Sequence, residues 1–165
     1  MDRSDAALDA GGVLTTRAAA ETRGRGRALG QAAQAGAFLA LVGPLGAGKT
    51  ELAKGVAEGL GVASVVNSPT FVLMNEHMGR LRLFHIDAYR LSDPEEAVAA
   101  GLLEERQAAG VTVAEWADRL AGWLPPDRLE LVIDPDPVFD DRRTITWRAT
   151  GAVHARLAAE AFGPR

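Results

Sequence analysis

The segment Gly43-Pro44-Leu45-Gly46-Ala47-Gly48-Lys49-Thr50 has the form GxxxxGK[ST], and it commits the chain on either side of it to one local architecture. Glycines let a loop curl until successive N–H groups point inward at an anion. Lys49 supplies a point charge for the outer phosphates of a nucleotide, and Thr50 supplies a hydroxyl for Mg²⁺. The flanks agree with this reading. Phe38-Leu39-Ala40-Leu41-Val42 is a short apolar run suited to a buried strand, and Leu52, Val56 and Leu60 follow at helical spacing. Strand, loop and helix in that order send the positive end of the helix dipole toward the phosphates. The expected ligand is a nucleoside triphosphate.

Bulk properties narrow the class. At 165 residues the chain fits a single domain with a proper core, read as residues 13–165 behind a loose polar tail over residues 1–12. Cysteine is absent, which removes disulfides and thiolate metal sites. No apolar stretch approaches bilayer length, so no membrane association is expected. A net charge of −4 disfavours a broad basic face that grips nucleic acid unaided. Arg23 and Arg27 share one face of a predicted helix, and they read as a solvated surface in preference to a polyanion site. Of the 18 basic residues only Lys49 and Lys54 are lysine, so an arginine-rich chain keeps a compact ammonium in the loop.

The rest of the chain reads as strands separated by helices. A helix is predicted over residues 18–35, although Gly24, Gly26 and Gly30 weaken it. Residues 71–74 and 81–86 read as strands joined by a hairpin at Met78-Gly79-Arg80. Ser92-Asp93-Pro94-Glu95-Glu96 starts a helix expected to run toward Arg106. Residues 111–114 form a short strand, 117–124 a brief helix, 129–133 and 144–147 an antiparallel pair, and 152–162 a closing helix. The fold class is α/β: a P-loop NTPase-like three-layer sandwich whose central sheet mixes parallel and antiparallel strands.

A phosphate loop needs carboxylates to fix the metal and the attacking water. Asp87 and Glu115 each follow an apolar strand directly, where a side chain emerges at the carboxyl edge of the sheet. Thr70, in Ser68-Pro69-Thr70-Phe71, stands where a switch-like loop offers a hydroxyl. His85 faces the same way as Asp87 on its strand, either to orient that carboxylate or as a structural histidine. Trp116 either packs in the core, walls the phosphate site or meets a partner.

The phosphate loop, Ser68-Pro69-Thr70-Phe71, His85-Ile86-Asp87-Ala88-Tyr89-Arg90-Leu91 and Glu115-Trp116 occur in this order. Together they resemble the TsaE family, the bacterial P-loop ATPases of tRNA threonylcarbamoyladenosine biosynthesis, over roughly residues 15–150. The resemblance implies a cytoplasmic ATPase using ATP and Mg²⁺ and working with the TsaD and TsaB proteins. Those partners carry the threonylcarbamoyl group to adenosine 37 of tRNAs reading codons that begin with A, so tRNA is met through the complex. It implies that Leu45, Gly46, Ala47, Gly48, Lys49 and Thr50 hold the phosphates and that Thr50 and Glu115 ligate Mg²⁺. Asp87 is then a second catalytic carboxylate beside Lys49 and Glu115, Thr70 the switch-loop hydroxyl, and Ala19 and Arg142 further nucleotide contacts. Three positions depart from the family pattern: Pro44 for a common acidic residue, Glu51 for a second threonine, and Ala88 for a bulky apolar residue.

The alternative is a small-molecule or nucleoside kinase, with Arg80, Arg82, Arg90 and Arg119 over the phosphates. A GTPase is disfavoured because its Asn-Lys-x-Asp guanine reader needs a lysine, and none follows Lys54. A binding module without turnover is the third reading.

Overall fold

The computed structural model describes residues 9–64, 66–67 and 73–163. Seven strands form one sheet: β1 (Ala10–Thr16), β2 (Phe38–Val42), β3 (Met74–His77), β4 (Leu83–Asp87), β5 (Val111–Glu115), β6 (Leu129–Pro135) and β7 (Arg143–Ala149). Their order across the sheet is β1-β7-β6-β2-β5-β4-β3. The inner four, β6, β2, β5 and β4, run parallel, while β7, β1 and β3 are antiparallel to their neighbours. The helices are α1 (Ala19–Ala32), α2 (Lys49–Gly59), α3 (Glu95–Ala99) and α4 (Ala152–Phe162), with 3₁₀ turns at Glu105–Ala109 and Ala117–Trp123.

Alternation along the strands divides the interior into two cores. Leu39 and Leu41 of β2 join Leu52 and Val56 of α2, Leu29 of α1 and Leu157 of α4 on one face. Phe38 and Ala40 join Ile86, Leu102, Ala114 and Leu120 on the other, under the short helices. The β2 strand is therefore buried on both faces, which is why its sequence is apolar throughout.

α1 lies on α2 with backbone against backbone. A Cβ built on Gly26 meets the Leu52 carbonyl at 2.2 Å, and one on Gly55 meets the Arg23 carbonyl at 2.0 Å. Gly30 and Gly59 sit in the same seam. The glycines that weaken the helix prediction are thus what lets the helix dock, at an entropic penalty of roughly 1 kcal/mol each relative to alanine.

Several expectations are corrected. β1 had no predicted counterpart, and its residues 10–12 belong to the stretch read as a tail. Gly12 hid the strand because it lies against the Trp147 ring, where a Cβ would come within 2.8 Å of Nε1. α3 ends at Ala99 and does not reach Arg106, since the chain reverses at Gly101, whose φ is +73°. The hairpin before β4 is present, with His77 opposite Leu83 and Met74 opposite Ile86, but its first strand runs Met74–His77 and not 71–74: Leu73 precedes it, and residues 71–72 lie outside the described residues. Among the described residues no helix is long and apolar enough to cross a membrane.

Candidate functional site

The phosphate loop joins β2, in the middle of the sheet, to α2, so it sits at the carboxyl edge where ligands of open α/β sheets bind. Gly48 is the residue before α2 and has φ +111°, a conformation an L side chain resists. Lys49 opens the helix. Its ammonium donates to the carbonyls of Gly43 at 2.6 Å and Pro44 at 2.7 Å, and lies 4.1 Å above the Trp116 ring. Burial pushes the Lys49 pKa below the ordinary lysine value, against the raising influence of Glu115, Asp118 and Asp87.

The carboxylates reach the same place through sheet register. β4 and β5 pair in parallel with Asp87 opposite Glu115, so both side chains leave the sheet on one face at its loop end. That face is the one α2 covers, since Leu41 stands opposite Glu115 on the other side and belongs to the α2-side core. Glu115 is buried, and Thr50 donates its hydroxyl to Oε1 at 2.8 Å. His85 is fully buried, and its Nε2 meets Glu115 Oε2 at 2.5 Å. The predicted orienting of Asp87 by His85 is therefore corrected: the imidazole serves the acid on the neighbouring strand, because a diagonal neighbour across a sheet lies within an imidazole's reach. Asp87 Oδ1 accepts from the Tyr89 N–H at 2.9 Å, closing a turn after β4.

A cleft of about 410 Å³ brings these pieces together. Its walls are Leu45, Gly46, Ala47, Gly48, Lys49, Thr50, Glu51, Asp87, Tyr89, Glu115 and Trp116. Trp116 is the one non-glycine with positive φ among the described residues, at +57°. Left-handed backbone at a bulky residue costs roughly 1–2 kcal/mol and clusters at functional sites. The strained turn places the indole against both the Lys49 ammonium and the Tyr89 ring, whose centroid is 4.8 Å away. Arg119 stacks beyond, 5.4 Å from the Tyr89 centroid and 5.8 Å from that of Trp116.

Other predicted residues fall elsewhere. Thr70 lies outside the described residues. Ala19 begins α1, one turn before Thr22, whose methyl lies 3.7 Å from a Cβ built on Gly48, but Ala19 is not part of the cleft wall. Arg142 stacks on Phe139, 4.3 Å from its centroid, and lines a separate hollow with Arg17 and Asp140. Its neighbour Arg143 touches the phosphate loop instead, donating from Nε to the Ala47 carbonyl at 2.8 Å. Two consecutive arginines after a turn carry no sequence signal for which one points inward.

Glu51, which departs from the family pattern, accepts from Arg23 Nε at 3.0 Å and Nη2 at 2.7 Å. Arg27 pairs likewise with Glu58 at 2.7 Å. The two arginines read as merely solvated thus bind α1 to α2. The kinase reading loses two of its four arginines: Arg80 donates to the Gly30 and Ala33 carbonyls at the end of α1, and Arg82 pairs with Glu76.

Residues 16–145 match the family model described as "Threonylcarbamoyl adenosine biosynthesis protein TsaE". A relative from Bacillus subtilis named tRNA threonylcarbamoyladenosine biosynthesis protein TsaE is 42% identical over 141 residues, 85% of this chain and 87% of the relative. A protein of the same name from Treponema pallidum is 41% identical over 131 residues, 79% of this chain and 96% of the relative. The crystal structure of Bacillus subtilis YdiB superposes with a TM-score of 0.76 at 34% identity, covering 93% of this chain and 95% of that one. With a phosphate loop and two register-matched acids in one cleft and this likeness along most of its length, the chain belongs to the TsaE family.

Proposed function

We propose that this chain is an Mg²⁺-dependent ATPase required for threonylcarbamoyladenosine formation on tRNA, acting in the cytoplasm with TsaD and TsaB. The observation that carries the reading is the shared cleft, in which Thr50 hydroxyl, Lys49 ammonium, Glu115 and Asp87 converge from three separate elements. The donor set suits Mg²⁺, a hard cation that takes one or two carboxylates and leaves its remaining positions to phosphate and water. Thr50 and Glu115 would hold that ion. Bound there, Mg²⁺ would neutralise charge building on the phosphates.

The residues of the chain divide the remaining work. The loop N–H groups and the start of α2 orient the phosphates, and Lys49 exchanges its loop carbonyls for phosphate oxygens. Asp87 orients water at the outer phosphate. Trp116 shields the ammonium from solvent and strengthens its field by lowering the local dielectric. Turnover by the isolated chain is expected to be slow, because P-loop enzymes gain orders of magnitude from groups completed in trans.

The test is reconstitution of threonylcarbamoyladenosine on tRNA from purified components, with ATP, TsaD and TsaB, with and without this chain. Modification that depends on the chain and consumes ATP is expected. Modification at the full rate without it, or phosphate transfer to a small acceptor, ends the proposal.

A further inference from the structure

The geometry points to His85 as a positioning residue for Glu115: its Nε2–H fixes one carboxylate oxygen so that the other is presented to Thr50. The inference rests on the ATPase reading above. Both groups are buried, His85 completely. Glu115 accepts at each oxygen, from Thr50 at Oε1 and from His85 at Oε2. Two anchors on different oxygens stop the carboxylate rotating about its last bond; one anchor leaves that rotation open. An ionised carboxylate only accepts, so the contact places a proton on Nε2.

His85 Nδ1 is buried and has no hydrogen-bond partner among the described residues. A buried, unpaired ring nitrogen makes imidazole a poorer filler here than leucine or phenylalanine, which bring no such desolvation cost. What sets His85 apart from His77, whose Nε2 is likewise buried without a partner among the described residues, is the N–H it aims at Glu115. His77 is the natural control. It stands on the same sheet face, diagonal to His85, and its Nδ1 meets Ser64 Oγ at 3.0 Å instead of a site carboxylate.

The experiment compares the parent chain with His85→Gln, His85→Asn and His77→Gln, assayed with TsaD and TsaB. Glutamine places an amide N–H near the Nε2 position, and asparagine is too short to do so. His85→Asn is expected to lower kcat about 10- to 100-fold and to raise the Mg²⁺ concentration giving half-maximal rate, with the KM for ATP within about threefold. His85→Gln should recover kcat to within about fivefold of the parent, and His77→Gln should match it. A second reading needs neither nucleotide nor metal. ¹⁵N-edited NMR of the parent should show a proton on His85 Nε2, its resonance moving on Glu115→Gln. Equal kcat in the Asn variant and the parent, a Gln variant as slow as the Asn one, or a His85 Nε2 without a proton would overturn the inference while parental turnover leaves the ATPase standing. If His85→Asn does not fold, the Gln variant and the Nε2 proton decide. Absence of ATP turnover in the parent removes the ATPase reading and this one with it.

Discussion

The two sides of the cleft are held by different physics. On the helical side, α1 and α2 meet through glycine and backbone, with Arg–Glu pairs at the half-exposed rim. On the strand side, Glu115 is buried and held by polar bonds from Thr50 and His85. The helical side is built for shape, where any added atom collides. The strand side is built for charge placement, where a lost hydrogen bond matters more than a lost methyl. Chemistry should therefore fail on the strand side without unfolding, and stability should fail on the helical side without any change in reacting groups.

The largest effects sharpen that contrast at the cleft itself. Lys49→Ala removes the ammonium between the two sides and should weaken ATP binding about a hundredfold or more, roughly 2.8 kcal/mol, measured by titration of a fluorescent analogue. Glu115→Ala should keep binding within about tenfold but lower kcat by roughly 10²- to 10³-fold. If the glutamate variant lost binding as completely as the lysine variant, the strand side would be holding nucleotide and not chemistry.

Next in size is a purely steric test. Gly55→Ala puts a Cβ at 2.0 Å from the Arg23 carbonyl, which rigid backbone cannot yield to without separating the helices. Overpacking of this kind costs about 1–3 kcal/mol and should lower Tm by about 3–10 °C. The site residues are untouched, so kcat at a temperature where the variant is folded should stay within about threefold. A parental Tm would mean that α1 slides freely on α2.

How much of this was legible follows the same division. The loop, β2 and α2 are read from consecutive residues, because a Gly-rich turn between an apolar run and a helical pattern fixes local geometry by itself. Asp87 and Glu115 are found by their place after strands. That they face each other depends on the register between β4 and β5, which alternation constrains but no local pattern states. The partner of His85 is not legible for that reason: its nearest acid in sequence is Asp87, and the acid its Nε2 meets is Glu115. Gly26 and Gly30 read as helix breakers because their purpose lies on another helix. β1 stayed hidden because Gly11 and Gly12 leave no alternation where the Trp147 ring fills the space.

A smaller effect separates the cleft from the opposite end of β2. There His154 of α4 accepts the Phe38 N–H at 3.0 Å, which requires a neutral Nε2. Burial holds its pKa below the ordinary value of 6.5, against the raising effects of the Thr150 backbone and Asp127. The sign follows. The unfolded chain takes up this proton first as pH falls, so the stability is complete above about pH 6.5 and drains as pH drops through the folded value. His77, also lowered by burial, adds in the same direction. Tm should fall between about pH 7.5 and about pH 5, and His154→Gln, which can accept without titrating, should flatten that fall by about 3 °C. An unchanged slope would place the acid sensitivity elsewhere.

The smallest effect tests whether the rim of the helical side carries weight at all. Arg23 bonds Glu51 through two nitrogens, but its side chain is 36% exposed, and screening by water reduces what such a pair contributes. Arg23→Gln should lower stability by only about 0.2–1 kcal/mol, far less than one methyl at Gly55. Its more telling consequence is electrostatic. Without Arg23, Glu51 keeps Lys54 at 3.7 Å as a weaker counter-ion, and it stands in the wall of the cleft. ATP binding should weaken about two- to fivefold at low salt and recover as added salt screens the carboxylate. The double variant Arg23→Gln, Glu51→Gln should restore affinity without restoring stability, because the repulsion is gone and the pair is not rebuilt. Restored stability with affinity still weak would instead make Arg23 a direct contact of the nucleotide.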